Sequence, residues 1–291
     1  MKRTIIISAA LGAAVLVPAA ATAKPIISPI GSATLQTYAA RAGAPLLPAG
    51  ITMPAMKKNT RNAYQSANWG GYIDSITRPG TAFQSVGSTF RVPTVNVLTT
   101  TDGPAGNMAA QWVGLDGSTA NSPTLEQTGV AEWLDTNLGI PHYVAWWEML
   151  PAPVVPIGNV SAGDLIRANV RAYGPSVPSG FVLTLTDQTQ HRSKATAVKF
   201  NHVTPLRDSS EVITELPSSS DGAMDLTDYG NVLYSNSSTS TNRTPHLLAS
   251  NSAYRAHRVI LVDSGGNTMA AVSNLSHGTA FSTPFVSDGN N

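Results

Sequence analysis

From about residue 62 onward the chain is a succession of short β-branched and aromatic runs broken by Gly, Pro, Asn, Asp and Ser. This punctuation limits the fold more than any other feature. Leu165-Ile166-Arg167-Ala168-Asn169-Val170-Arg171-Ala172 alternates apolar and polar residues, as a strand with one wet face should. Residues 181–186, 197–200, 211–215, 258–262 and 269–272 read as further strands, with Asp263-Ser264-Gly265-Gly266-Asn267 as the hairpin loop between the last two. Helix signals are scarce and no βαβ rhythm appears. Roughly a dozen strands in about 225 residues therefore predict one all-β domain, an antiparallel sandwich or barrel. The polar stretches 218–222 and 235–244 read as surface loops.

The first 61 residues follow a different rule. Met1-Lys2-Arg3 is a positive start, residues 4–20 are rich in Ile, Leu, Val and Ala, and Ala21-Thr22-Ala23 fits small-residue cleavage. Residues 1–23 thus read as a signal peptide, and a secreted product, extracellular or periplasmic, is expected. Gly12 and Pro18 interrupt a stretch barely as long as a bilayer span needs, so a membrane anchor is the weaker reading. Residues 24–61 are rich in Pro, Ala and Leu, contain Lys24, Arg41, Lys57, Lys58 and Arg61 and no acidic residue, and show no sustained period. They read as a basic prosegment or linker ahead of a domain spanning 62–291.

Charge sharpens that division. Residues 1–73 hold seven basic residues and no acidic one, and the remainder has 11 basic against 17 acidic residues, a net −6. A basic leader ahead of an acidic body predicts a prosegment that covers an acidic cleft at neutral pH and loosens as carboxylates take up protons. With no dense Lys/Arg footprint, nucleic acid is not an expected partner. The absence of cysteine excludes disulfides, thiolate metal sites and cysteine nucleophiles.

Familiar catalytic signatures are missing too. There is no G-x-S-x-G elbow, no H-E-x-x-H helix and no P-loop. The six histidines lack ligand spacing and read as surface or loop residues, so no metal or other cofactor is called for. Asp263-Ser264-Gly265 has the form of an aspartic-peptidase triplet, but that chemistry needs two carboxylates sharing a proton and no second triplet exists.

Four segments place Trp, Gly and carboxylates where a plain β core would not need them. They are Asn68-Trp69-Gly70-Gly71-Tyr72, Gln111-Trp112-Val113-Gly114-Leu115-Asp116-Gly117, Leu125-Glu126-Gln127-Thr128-Gly129 and Ala145-Trp146-Trp147-Glu148-Met149-Leu150-Pro151. Taken singly, each Trp fits an aromatic core position. In this order, together with Ser210-Glu211-Val212-Ile213-Thr214-Glu215, they resemble the glutamic peptidases, the eqolisin family, over roughly three quarters of the chain. The resemblance implies two seven-stranded antiparallel sheets packed as a lectin-like sandwich, and a monomeric acid endopeptidase acting on protein or peptide substrates. It assigns catalysis to Gln127 and Glu215. The lack of the disulfides of fungal members suits a bacterial-type branch.

Elementary chemistry supports such a pair. Along a strand, Glu211, Ile213 and Glu215 share one face, and Leu125 and Gln127 share a face opposite Glu126. A glutamate with an ordinary pKa of about 4.3 is partly ionised in mild acid, where a histidine base would be protonated. Gln127 does not titrate, so it can orient a water and donate to an oxyanion at any pH. Supporting roles on the substrate groove fall to Trp69 and Gly71, to Trp112 and Asp116 as another wall, and to Trp146 and Glu148 beside the dyad. Glu126 departs from the family, which places an apolar residue there; pointing between the sheets, it would be a buried charge in need of a partner. Two other functions share the architecture: a non-catalytic carbohydrate-binding sandwich, and a glycoside hydrolase using Glu148 and Glu215.

Overall fold

Turn residues cut the chain into strands too short to bury both faces alone, so each must find neighbours in a sheet. The computed structural model describes residues 63–289 apart from 120–121, 174–178, 218–223 and 243–244. The expected signal peptide and basic leader, and the expected loop at 218–222, lie outside the described residues. The chain runs through β1 (Tyr64–Ser66), β2 (Trp69–Ile76), β3 (Phe83–Arg91), β4 (Asn107–Asp116), β5 (Leu125–Asp135) and β6 (Ile140–Leu150). It continues through β7 (Val155–Asn159), β8 (Leu165–Ala172), β9 (Gly180–Asp187), β10 (Arg192–Lys199), β11 (Ser209–Glu215) and β12 (Asp225–Leu226). The series closes with β13 (Asn231–Thr241), β14 (Pro245–Leu247), β15 (Tyr254–Val262), β16 (Thr268–Ala270) and β17 (Phe281–Pro284).

Two sheets form a sandwich. The larger has the order β1-β15-β2-β11-β4-β5-β6-β7, with β12 on β4 and β16 on β15; the smaller has the order β10-β9-β8-β3-β13-β14, with β17 on β13. The count is ten strands and seven rather than seven and seven, because the short strands β1, β12 and β16 add to the large sheet. Pairing is antiparallel except for β1 with β15 and β12 with β4.

The sheets bury their residues differently. In β8, Ile166, Ala168, Val170 and Ala172 are buried while Arg167 and Arg171 are exposed, the expected alternation of a strand with one wet face. In β4 and β11 every residue is buried. Alternate residues of these strands fall into two apolar clusters. Val113, Leu115, Val130 and Val212 pack toward the small sheet with Phe90, Ile166, Phe181 and Tyr234. Trp69, Trp112, Trp133, Trp146 and Ile213 gather on the opposite, outer face. Full burial of each such side chain stabilises the fold by roughly 1.5–3 kcal/mol.

One expected loop is a strand. Residues 235–241 continue β13, which pairs with β3. Its Ser and Thr residues alternate, and the inward ones satisfy their hydroxyls across the core: Ser237 with Ser88 at 2.8 Å and Thr239 with Ser210 at 2.8 Å. A polar tract is stable there because its hydrogen bonds are made. The Asp263–Asn267 hairpin forms as expected, closed by Asp263 N–H to Asn267 O at 2.9 Å.

Candidate active site

Register decides which groove candidates meet. Across the outer face, Gly71 of β2 lies opposite Ile213 of β11, Ile213 opposite Trp112, Trp112 opposite Gly129 and Gly129 opposite Trp146. Glycine is required in this row. A Cβ on Gly129 would lie 2.0 Å from Gln111 O, and Gly71, at φ 150°, would press a Cβ to 2.2 Å from Val212 O. Gly71 is therefore required for the close approach of β2 to β11.

Gln127 and Glu215 lie on either side of that row. Gln127 is paired with Gly114 on one side and with Glu148 on the other, while Glu215 is paired with Ala110 and Trp69. The Trp112 ring spans the gap. Its Nε1–H donates to Glu215 Oε2 at 2.7 Å, and its far edge overhangs Gly114, where a Cβ would come within 2.9 Å of Cζ3. The Trp69 ring meets that of Trp112 edge-on with centroids 5.1 Å apart.

Glu148 holds Gln127. Gln127 Nε2 donates to Glu148 Oε2 at 2.6 Å, and the negative charge of Glu148 acts on Glu215. Gln127, Glu148 and Glu215 have no solvent exposure. Burial lifts the Glu215 carboxyl well above its ordinary pKa; the Trp112 N–H opposes the rise, Glu148 adds to it, and Trp69 and Asn68 oppose it. Gln127 Oε1 and Glu215 Oε1 remain without a hydrogen-bond partner. The cluster thus holds two buried acceptors, a carboxyl inclined to hold its proton, and an amide whose orientation is fixed.

Asp116 is committed elsewhere. It takes φ 68° at the end of β4, ahead of Gly117 at 91°, a left-handed exit that Asp tolerates and Gly favours. Its Oδ1 accepts from Asp208 N–H at 3.0 Å and its Oδ2 from the Thr124 hydroxyl at 3.4 Å. Burial, opposed by the Arg207 and Asp208 N–H groups, raises its pKa to about 7. The side chain therefore braces the chain between β10 and β11, where a groove wall was expected.

Two outer-face residues escaped the sequence reading. Trp133 shares the face of Gln127, six residues further along β5, and His142 stacks on it with centroids 5.1 Å apart and planes 15° apart. The same alternation that placed Gln127 would have found Trp133. His142, expected at the surface, is instead buried in β6, and burial lowers its pKa against the pull of Asp135.

Glu126 does point between the sheets. It has no exposure, and neither of its oxygens has a hydrogen-bond partner. Burial and the nearby Asp116 charge hold its pKa well above the usual range, against Thr124 and the Arg207 guanidinium. It is stable there as a neutral acid.

Known structures share this sandwich. Scytalido-glutamic peptidase in complex with a transition-state analogue inhibitor superposes with a TM-score of 0.60 at 22% identity, covering 76% of this chain and 98% of that one. SCP-B, an eqolisin solved with the tripeptide Ala-Ile-His, gives 0.55 at 20% identity, with 76% and 98% covered. Aspergilloglutamic peptidase from Aspergillus niger gives 0.53 at 23% identity, with 62% and 99% covered. No curated protein sequence matches the chain. The Peptidase A4 family profile matches residues 67–283, from the Asn68-Trp69-Gly70-Gly71 segment through the last strand of the small sheet. The chain belongs to the Peptidase A4 family, the glutamic peptidases, and family membership implies peptide hydrolysis.

Proposed function

We propose that this protein is an acid-active endopeptidase in which Gln127 and Glu215 activate a water. The carrying observation is the pair of buried, unpartnered acceptors, Gln127 Oε1 and Glu215 Oε1, on one face, with Glu148 hydrogen-bonded to Gln127. A water has two O–H groups to offer such a pair. In the fraction of molecules whose Glu215 is ionised, the water's oxygen attacks the substrate carbonyl carbon while Glu215 takes its proton. The oxyanion so formed accepts from the second Nε2–H of Gln127, the first being held by Glu148. Glu215 then returns the proton to the amide nitrogen, the C–N bond breaks, and a carboxylic acid and an amine leave. Trp112 keeps Glu215 aligned throughout through its N–H.

On this reading residues 1–23 direct export, and the basic leader 24–61 restrains an acidic groove until acid protonates it. What supports the second step is the charge division: five basic residues in the leader against Glu148, Glu211 and Glu215 on one sheet face. A pH series of casein or haemoglobin digestion tests both. The full chain should cleave in acid and lose about 10²–10³ in rate with Gln127→Ala, the scale of an oxyanion donor. Undiminished cleavage by Gln127→Ala would sink the dyad. An unchanged pH of activation in a chain lacking residues 24–61 would sink the role of the leader.

A further inference from the structure

Glu148 has no assigned part in proton transfer, yet it holds one half of the dyad by a hydrogen bond. It sits directly opposite Gln127 across the β5–β6 ladder, within side-chain reach, and is fully buried. A carboxamide presents an acceptor oxygen at one end and two donors at the other. With Nε2 held 2.6 Å from Glu148 Oε2, Oε1 is turned away, and it is this atom that has no partner. Turning the amide over would set Oε1 against the carboxylate oxygen, acceptor to acceptor, in a buried site where unmade hydrogen bonds are costly.

We propose that Glu148 is a positioning residue: through its hydrogen bond with Nε2 it fixes which end of the Gln127 amide faces the reacting water. The inference rests on the peptidase reading above. The described groups acting on Glu215 are Trp112, Glu148, Trp69 and Asn68, with no cation among them, so Glu148 is the described charge to which Glu215 responds. Removing that charge favours ionised Glu215 and moves the acid limb of the rate profile to lower pH. Removing the whole side chain frees the amide to turn.

The test measures kcat and KM against pH for the full chain activated in acid, on a fixed peptide substrate. Glu148→Ala is expected to lower kcat about 10²-fold, the scale of a misplaced oxyanion donor, with KM little changed. Glu148→Gln keeps an acceptor oxygen without the charge. It should retain kcat within about tenfold of wild type, a single neutral hydrogen bond at most being altered, while its acid limb moves down. In a Gln127→Ala background, Glu148→Ala should lower kcat no further, because its effect passes through the missing amide.

Wild-type kcat in Glu148→Ala overturns the proposal. So do additive losses in the double variant, which would make Glu148 a group acting on its own. Equal, complete losses in Glu148→Gln and Glu148→Ala overturn it as well. A wild-type chain that cleaves nothing at any pH removes the peptidase reading itself, and the inference with it.

Discussion

On the outer face of the large sheet, Glu148 and Glu215 each accept an N–H, from Gln127 and Trp112, whereas on its inner face Asp74 and Glu126 accept none. Glu132, also between the sheets, has one donor, Gln111 Nε2 at 2.7 Å. The same strands carry both sets, separated only by the alternation of side chains. On the outer face the donors hold Glu148 and Glu215 in place for proton transfer, while Glu211 beside them has none. The inner face has its acids surrounded by apolar side chains, Tyr and Thr, so the neutral form is the stable one. Glu215 should therefore govern how rate depends on pH, while the inner acids act on how stability does without touching rate.

The largest consequence is on stability. Burial holds Asp74, Glu126 and Glu132 well above their ordinary pKa values. The folded chain keeps protons that the unfolded chain releases, so their contribution is fully present below the unfolded carboxyl pKa of about 4 and is lost as pH rises through the folded values. Each group withdraws about 1.4 kcal/mol per pH unit across that window. Urea unfolding should show much greater stability at pH 3 than at pH 7, and Glu126→Gln, neutral at both, should flatten the difference. A chain equally stable at the two pH values would erase the distinction between the faces.

A smaller effect is expected on the outer face. Trp112→Phe keeps the ring and removes the N–H that Glu215 accepts, which is worth roughly 1.5–3 kcal/mol for a bond to a charged group. kcat should fall at least about tenfold, and the acid limb of the rate profile should move to higher pH, since that N–H favours ionised Glu215. A stability loss without a rate effect would make Trp112 a core residue only.

Much of this was legible before any coordinates. The punctuation of β-branched runs announced an all-β sandwich, and alternation set Gln127 and Glu126 on opposite faces. Alternation alone did not reveal register, so the meeting of Gln127 with Glu148, and the reach of Trp112 from Glu215 to Gly114, had no sequence signal. Both depend on which residue lies across the ladder. Residues 235–241 misled because Ser and Thr are read as loop formers, yet hydroxyls paired with Ser88, Ser85 and Ser210 serve a buried strand well. Gly71 and Asp116 were noticed for the right reason, an unusual residue in a strand context. Their demands come from the chain itself, one from the approach of β11 and the other from the Asp208 N–H.

Glu211 and Glu215 offer the most direct test of the dyad, being equally buried on the same face of the same strand. Only Glu215 meets the Trp112 N–H and the charge of Glu148; Glu211 lies instead in the field of Asp116, Asp208 and Glu126. The deciding measurement is kcat/KM for protein cleavage in acid by Glu215→Gln and Glu211→Gln side by side. A dyad of Gln127 and Glu215 gives a loss of at least about 10³-fold for Glu215→Gln, within the range of general acid–base catalysis, and retained cleavage for Glu211→Gln. Retained cleavage in Glu215→Gln, or its loss in Glu211→Gln alone, would contradict it.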